Sequence, residues 1–375
     1  MQPNYEVDEV AEVQALREEA RGYAADLRAR ALAVDAEPGR MRPHLDSPGL
    51  LGIQRLQPVL SSTLKTAVVL IELAKGDAGM VLACPGPALA GVLVRVLGNE
   101  EQNTRLATAV AGGRTWAFLA ITEPQTGSDV TRLRTELRPD DEHGHRLHGV
   151  KRYIGNGSRG TIGVVLARTG PSPLSLRAAL VEAPAAELRT QALDMIGLRG
   201  ARISEMTFDG LPVGPDDLLG AHLSPLRRGM WGVRQAFNTV RVHVAAMAVG
   251  TAMAVHDYVR AARRQWTRTE RADLEAAMAD IEAVRRLTHR AAMEVDANRE
   301  RGYQASMAKL AAGELAVRIS RNLPRMLGPG ALLEHPLLEK WWRDSCAFEF
   351  MEGTGHIQRL HVAQDYLKRD NARAS

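Results

Sequence analysis

The sequence has little cysteine, few aromatic residues and little lysine. It contains 2 cysteines in 375 residues, too few for a disulfide framework and not spaced as C-x-x-C, which favours a reducing compartment. Aromatic residues make up 4% of the chain, and no basic run is interleaved with them, so nothing indicates nucleic-acid binding. Six of the 48 basic residues are lysines. Arginine suits phosphate and carboxylate recognition, although richness in arginine and alanine also reflects a GC-rich genome.

Long hydrophobic runs are missing as well. The longest uncharged stretch, residues 78–94, is interrupted by Pro85 and Pro87, so we expect no membrane span. The first ten residues, MQPNYEVDEV, are acidic and polar where a signal peptide is basic and then apolar. With 45% hydrophobic residues, the chain can bury a large core. We therefore expect a cytoplasmic protein with no membrane partner.

Hydrophobic spacing divides the chain into three regions. Apolar residues three or four apart predict a helix from residue 7 to 27, and further helices continue the helical region 1–113. Residues 114–222 consist of short β-rich runs separated by Gly, Pro, Asp and Asn, which is typical of a small β-domain. The helical period returns in 223–375 and predicts a bundle. The order is helical, β, helical.

A loop rich in hydroxyls follows the apolar, strand-like segment TWAFLA. It reads AITEPQTGSD and occupies residues 120–129. Thr122, Thr126 and Ser128 could hydrogen-bond a polar cofactor, and Gly127 would let the backbone approach it closely. Taken alone, the same composition is that of an ordinary turn.

Other patterns are ambiguous when taken singly. His143, His145 and His148 crowd a predicted hairpin but lack the spacing and the cysteine partners of a zinc site, which favours a solvated turn. No H-E-x-x-H, G-x-S-x-G or P-loop pattern is present. The remaining candidates also have plain structural explanations: Tyr153 and Asn156 at a strand end, LGPGA at 327–331 as a helix C-cap, and Phe237 and Arg241 on one helix face.

Two glutamates, Glu349 and Glu352, stand in the apolar segment SCAFEFMEGTGHIQR near the end of the chain. A carboxylate among residues that favour burial either lies on a solvated helix face or has a chemical function. The residues alone leave both possibilities open.

Together and in this order, these segments resemble the acyl-CoA dehydrogenase family, and the resemblance covers nearly the whole chain. Six family segments are met, in part at the fifth: T-E-P-x-x-G-S-D at 122–129, G-x-K-x-[WY]-I-x-N-G at 149–157, G-x-R-x-S-x-x-x-F within 197–208, the Arg–Ala–Gly helix at 241–250, L-G-G-x-G at 327–331, and R-D-x(7)-E-G-T-x-x-I-Q-R at 343–359.

The resemblance implies an α+β multidomain fold with an N-terminal helical domain, a central small β-barrel and a C-terminal four-helix bundle. It also implies FAD, held between the β-domain, the bundle and a neighbouring subunit, and hence a homodimer or homotetramer. The cofactor residues implied are Thr122 at the flavin ring, Ser128 at the pyrophosphate, Tyr153 beside the isoalloxazine, Thr354 near the adenosine half, and Gly328; the implied substrate residues are Phe237, Arg241 and Gly353.

The implied reaction is α,β-dehydrogenation of an acyl thioester, with Glu352 in the position of the base that takes the α-proton while the β-hydrogen leaves as hydride to flavin N5. An apolar pocket would raise the pKa of such a carboxyl towards neutrality. The Glu352 backbone N–H and a flavin ribityl hydroxyl would bind the thioester oxygen. Glu349 would be structural, and an electron acceptor would reoxidise the flavin.

The sequence departs from the family at several points. Family members have an arm that reaches the FAD of a neighbouring subunit, with the pattern R-x-x-F-G-x-x-[IL]-x-x-x-Q. Here the pattern is absent and the region is shortened, and Arg264, Trp266 or Thr267 could take its place. Gly155 replaces a hydroxyl residue, and Asn238 replaces an aspartate common near the thioester carrier. These changes suggest a specialised member whose acyl group arrives on CoA or, because an arginine-rich surface complements an acidic partner, on an acyl- or peptidyl-carrier protein.

Two other functions are compatible with the sequence. The first is a flavin monooxygenase on the same fold; such members generally lack the base, so Glu352 argues against it. The second is a carrier-binding protein without flavin, which the missing arm makes conceivable.

Overall fold

The computed structural model describes residues 11–374 and divides into two compact units, one helical and one built around a sheet. The helical unit comprises the described part of Met1–Val81, together with Ile196–Gly200 and Asn238–Ser375, and the sheet unit comprises Leu82–Met195 and Ala201–Phe237. Helical N- and C-terminal regions with a central sheet were predicted, and this arrangement is confirmed. The first four residues of the predicted helix 7–27 lie outside the described residues.

The helices begin and end at recognisable local signals. Ser47 accepts the backbone N–H of Leu50 ahead of a helix with proline at its first position, and Asn99 forms a capping box with Gln102. The Asn99 capping box divides the long predicted helical stretch after residue 87 into two helices. The helices are α1 Ala11–Ala36, α2 Pro48–Leu56, α3 Thr63–Ala83, α4 Ala88–Leu97, α5 Glu100–Val110, α6 Met230–Ala262, α7 Arg268–Ala297, α8 Tyr303–Asn322, α9 Ala331–Glu334, α10 Pro336–Ala347 and α11 Gly355–Ala374.

An eight-stranded, mostly antiparallel sheet forms the second unit. Its order is β6-β7-β3-β2-β4-β5-β8, and β1 pairs in parallel with β4. Residues 162–167 of β4 and 178–181 of β5 are buried on both faces, so these segments read as continuous apolar runs. The strands are β1 Ala117–Ala120, β2 Glu136–Asp140, β3 Gly144–Ile154, β4 Ile162–Arg168, β5 Leu176–Glu182, β6 Leu188–Ala192, β7 Ser204–Val213 and β8 Leu218–Leu219.

A buried ionic cluster connects three segments of the helical unit. Lys340 Nζ lies 2.6 Å from both Asp77 Oδ2 and Asp344 Oδ2. Asp77 interrupts α3 with an extended backbone and caps its continuation by accepting the Met80 N–H. Asp344 accepts the Leu198 N–H at 2.6 Å, which attaches residues 196–200 to the helical unit. Although burial opposes it, the two carboxylates raise the pKa of Lys340 above its ordinary value.

The connection between α6 and α7 is short, as the sequence predicted. Arg263 stacks on Trp266 at 4.2 Å and pairs with Glu270 at 2.9 Å. Thr267 is the N-cap of α7 and forms a capping box with Glu270. Trp266 and Thr267, proposed as substitutes for the missing arm, therefore make local contacts that shape this turn.

Within residues 11–374, no helix is long and apolar enough to span a membrane.

Candidate functional site

Glu352 lies on the loop that joins α10 to α11, in a backbone conformation that few residues adopt. Its φ is +55°, and the φ of the following Gly353 is +96°. A non-glycine residue in this left-handed region carries strain that the surrounding structure must hold in place, and such residues cluster at functional sites. Glu352 as a whole residue is half-buried.

Three side chains from three helices hold this loop by its carbonyl oxygens. Lys309 Nζ donates to Glu349 O at 2.9 Å and to Gly353 O at 2.7 Å. Gln358 Nε2 donates to Glu352 O and Gly353 O at 3.1 and 3.0 Å. Arg241 Nε approaches Glu352 O at 3.4 Å. Because these donors bind backbone oxygens, they fix the position of the backbone that carries the Glu352 side chain.

The two glutamates of this segment have different tasks. Glu349 Oε1 accepts the backbone N–H of Gly355 at 2.7 Å, which places a carboxylate at the N-terminus of α11, where negative charge is favourable. The Thr354 hydroxyl accepts the Ile357 N–H at 3.4 Å and contributes to the same cap. The geometry thus gives Glu349 a structural role, and Glu352 shows no such hydrogen bond among those resolved.

The electrostatics of the site favour a carboxyl that titrates near neutrality. Burial raises the pKa of Glu352 to about 7, while the positive charges of Arg241 and Lys309 oppose the increase. Burial also lowers the pKa of Arg241 to about 10, so its guanidinium stays charged at neutral pH. On α11, burial and the nearby charge of Arg241 lower the pKa of His361 to about 4. At neutral pH this histidine is therefore uncharged.

Arg241 is itself oriented by a chain of hydrogen bonds within the helical unit. Its Nη1 donates to Asn238 Oδ1 at 3.1 Å, and Asn238 Nδ2 donates to Arg299 O at 2.9 Å. Phe237, four residues before Arg241 on α6, packs against the apolar cluster of the sheet unit. Asn238, where the family often has aspartate, therefore fixes the loop that carries Arg299.

In the sheet unit, the structure brings together two of the predicted cofactor segments. The backbone N–H of Arg152 donates to Thr122 O at 2.8 Å, so the hydroxyl-rich loop after β1 lies beside the end of β3. Tyr153 follows with φ +63° and a side chain that is 54% exposed. Ser128 is exposed on the same loop as Thr122. An exposed aromatic ring on a strained backbone next to hydroxyl-bearing residues is an arrangement suited to a planar, polar ligand.

A buried ion pair supports this loop. Lys151 Nζ donates to Ile121 O at 2.9 Å and lies 3.1 Å from Glu123 Oε1. Glu123 also accepts the backbone N–H groups of Arg134 and Thr135 and the Thr135 hydroxyl. Burial lowers the pKa of Lys151 to about 8, against the opposing charge of Glu123. The two charged residues of the T-E-P and G-x-K segments are thus partners.

We expect Lys151→Met to lower the free energy of unfolding by about 3–5 kcal/mol, because it leaves the Glu123 carboxylate buried without its cation. Denaturant unfolding measures the loss, and Glu123→Gln added to the variant should cost much less than Glu123→Gln alone. Arg138→Met, which breaks an exposed pair with Glu136, serves as the control and should change stability little. If the losses of unfolding free energy from Lys151→Met and Glu123→Gln simply add in the double variant, the two residues are not partners.

Glycines leave open backbone beside these polar groups of the sheet unit and, separately, in the helical unit. A Cβ built on Gly155 meets no atom within 4 Å, and one on Gly127 meets only Thr122 Cγ2, at 3.5 Å. In the helical unit, Gly328 ends a short 3-10 helix with φ +114° and also has no atom within 4 Å of an added Cβ. Such positions let a ligand approach the backbone closely. In the sheet unit, the exposed ring, the hydroxyl-bearing residues and the open backbone together fit a planar, polar cofactor.

Sequence reasoning missed Lys309, Gln358 and the partnership of Lys151 with Glu123. A signal existed for Lys309, which occupies a position on α8 between the buried residues Ala305 and Ala312 and is 1% exposed. A lysine in such a stripe must find acceptors inside the protein. No group of three His, Cys, Asp or Glu side chains suited to a metal ion occurs in the part of the chain that the structure describes.

Two models of one protein family match this chain. The acyl-CoA dehydrogenase middle domain matches residues 118–211, and the acyl-CoA dehydrogenase C-terminal domain matches residues 227–367. The mitochondrial short-chain specific acyl-CoA dehydrogenase of Bos taurus is 28% identical over 379 residues, which cover 95% of this chain and 90% of that protein.

Solved structures share the fold over the same extent. Butyryl-CoA dehydrogenase from Megasphaera elsdenii has a TM-score of 0.84 at 22% identity, covering 98% of this chain and 100% of that one. The prolyl acyl carrier protein oxidase AnaB has a TM-score of 0.83 at 23% identity, covering 95% of this chain and 99% of that one.

Proposed function

Because the chain belongs to the acyl-CoA dehydrogenase family and is therefore an oxidoreductase, we propose that it catalyses the α,β-dehydrogenation of an acyl thioester. The observation that carries this proposal is Glu352, a carboxyl whose pKa of about 7 matches a general base at neutral pH. Its loop is held in a strained conformation by Lys309, Gln358 and Arg241, which is the kind of support that a reacting group requires.

FAD is the cofactor of this family, and the residues described above fit it. When bound, it supplies the acceptor for the hydride that leaves the β-carbon of the substrate. We assign Thr122 to the flavin ring, Ser128 to the pyrophosphate and Tyr153 to stacking beside the isoalloxazine. Gly328 and Thr354 are proposed as further cofactor contacts, the latter near the adenosine half.

Glu352 takes the α-proton in this proposal. The α-hydrogen of a thioester is a weak acid, so its removal requires an ionised carboxylate close to the carbon and stabilisation of the charge that develops on the thioester oxygen. The Glu352 backbone N–H would donate to that oxygen. Phe237, Arg241 and Gly353 are proposed to line the acyl site. Because a protonated carboxyl cannot accept the proton, turnover should rise with pH through about 7.

We further propose that the thioester is carried on an acyl- or peptidyl-carrier protein, with CoA as the alternative carrier. Arg299 and Arg301 are exposed on the loop between α7 and α8, and Asn238 and Arg241 connect that loop to the Glu352 segment by hydrogen bonds. Exposed arginines would attract an acidic carrier protein. One protein of the same fold is a prolyl acyl carrier protein oxidase, which supports this choice. A panel of matched acyl-CoA and acyl-carrier thioesters separates the two carriers.

The visible spectrum of the purified protein tests the proposed function. A yellow protein that an acyl thioester bleaches anaerobically supports it. A colourless protein that cannot take up FAD would instead indicate a carrier-binding protein, and a yellow protein that reacts with oxygen but is never bleached by thioesters would indicate a monooxygenase. The reduced protein also needs an electron acceptor, which this assay identifies by the return of the oxidised spectrum.

Assembly into a homodimer or homotetramer stays a prediction, which light scattering tests against the chain mass of 40.9 kDa.

Gly155→Ser should tighten FAD binding by about two- to tenfold, the worth of one added hydrogen bond of roughly 0.5–1.5 kcal/mol. The position has room for a side chain, and the family usually has a hydroxyl there. FAD titration of the apoprotein measures the change, with Gly155→Ala as the control that adds the Cβ without the hydroxyl. Equal affinities for the serine and alanine variants would contradict a hydrogen bond at this position.

A further inference from the structure

We propose that Lys309 is a positioning residue for Glu352: its ammonium group ties the two ends of the 349–353 loop together and keeps a positive charge near the carboxylate. This inference rests on the proposed role of Glu352 as the base. It goes beyond that role because Lys309 itself would touch neither substrate nor cofactor.

The contacts of Lys309 are unusual for a buried lysine. Its resolved hydrogen bonds go to two carbonyl oxygens, Glu349 O at 2.9 Å and Gly353 O at 2.7 Å, and not to a carboxylate. The side chain is 1% exposed and lies on α8 between alanines. Burying an ammonium group without a direct ion pair is costly, so a lysine used only for packing would be better replaced by an apolar residue.

The two carbonyl oxygens bracket the strained part of the loop. Glu349 precedes Glu352 by three residues and Gly353 follows it directly, and the left-handed φ values fall on Glu352 and Gly353. Lys309 Nζ binds a carbonyl oxygen on each side of this part of the loop. It therefore holds the backbone conformation that orients the Glu352 side chain. Gln358 adds two bonds from α11, but these reach only residues 352 and 353.

The charge of Lys309 acts on the same carboxylate. The charges that act on Glu352 are those of Arg241 from α6 and Lys309 from α8. His361 on α11 interacts with Arg241, and Glu349 interacts with Lys309. His361 is uncharged at neutral pH, so Arg241 and Lys309 supply the positive charge. Burial lowers the pKa of Lys309 to about 8, while Glu349 and Glu352 oppose the decrease. Removing this cation raises the pKa of Glu352, and the pH at which the base becomes ionised rises with it.

The test compares Lys309→Met with Lys309→Arg and with the wild type. The rate of anaerobic flavin reduction by a turned-over thioester should rise with pH as Glu352 ionises; we call the midpoint of this rise the acid limb. It should lie near pH 7 in the wild type and about 1 to 3 pH units higher in Lys309→Met. Lys309→Arg, which keeps charge and donors, should restore a limb close to the wild-type value. Lys65→Met, which removes a lysine paired with Glu12 far along the chain from the site, should leave it unchanged.

A second measurement needs no turnover. Amide hydrogen exchange of residues 349–355 should become faster in Lys309→Met and stay as in the wild type in Lys65→Met. If Lys309→Met does not fold, Lys309→Gln removes the charge with a smaller change in polarity. An acid limb that coincides with the wild type, or unchanged exchange of the loop, would overturn the inference. If the wild type is not reduced by any thioester, the proposed function fails, and the exchange measurement still decides whether Lys309 holds the loop.

Discussion

Glu352→Gln is expected to retain FAD and bind thioester nearly as well as the wild type, while flavin reduction falls by more than the roughly 10²–10⁴-fold assigned to general acid–base catalysis alone. Glutamine is close to isosteric with glutamate and loses chiefly the ability to accept a proton. The backbone contacts from Lys309, Gln358 and Arg241 to residues 349–353 do not involve the Glu352 carboxylate. They should therefore survive, and the loop should keep its conformation.

Glu349→Gln is the matched control for this prediction. Its side-chain oxygen can still accept the Gly355 N–H that Glu349 Oε1 binds at 2.7 Å, so flavin reduction should change little. Anaerobic stopped-flow reduction measures both variants with the same thioester. A Glu352→Gln protein that is reduced at a rate near the wild type would show that the base lies elsewhere.

The second large effect concerns stability. Lys340→Met should lower the free energy of unfolding by about 3–5 kcal/mol at neutral pH, because Asp77 and Asp344 would remain buried without the cation they share at 2.6 Å. Denaturant unfolding measures the loss. Arg359→Met, which breaks a pair with Glu314 at the surface of the same unit, should have little effect.

The pH dependence of the Lys340→Met loss has a definite sign. Burial and the Asp77 charge already raise the pKa of Asp344 in the native protein, against the charge of Lys340. Removing the lysine raises the folded-state pKa of Asp344 further above the unfolded value of about 3.9. A raised folded-state pKa means that folding takes up protons, so the difference from the wild type should shrink as the pH falls from 8 towards 5. A loss that grows towards low pH would contradict this account.

The regular elements could be predicted because local signals mark them. The apolar spacing of α6 to α8 and the β-rich runs of β3, β4 and β5 are properties of short segments. The turn after β2 and the C-cap at Gly328 were also recognisable, since glycine at a left-handed position is a local requirement. The ordered motifs then predicted the family, which the comparisons confirm.

The support of the site could not be predicted, because it depends on contacts between distant parts of the chain. Lys309 and Glu349 are 40 residues apart, and Lys340 and Asp77 are 263 residues apart. Residues 196–200 lie between β6 and β7 in the chain but belong to the helical unit, where Asp344 accepts the Leu198 N–H. A buried lysine in an apolar stripe signals that an internal partner exists, but the stripe does not say which residue it is.

Exchange of the α-hydrogens of a bound thioester with D₂O tests the role of Glu352 most directly. A thioester without β-hydrogens isolates proton abstraction from hydride transfer, and deuterium at the α-carbon is read by mass spectrometry or NMR. Exchange by the FAD-loaded wild type should rise with pH through about 7. Glu349→Gln should exchange at a similar rate, and Glu352→Gln should show almost no exchange. Exchange by Glu352→Gln at the wild-type rate would contradict the assignment of Glu352 as the base.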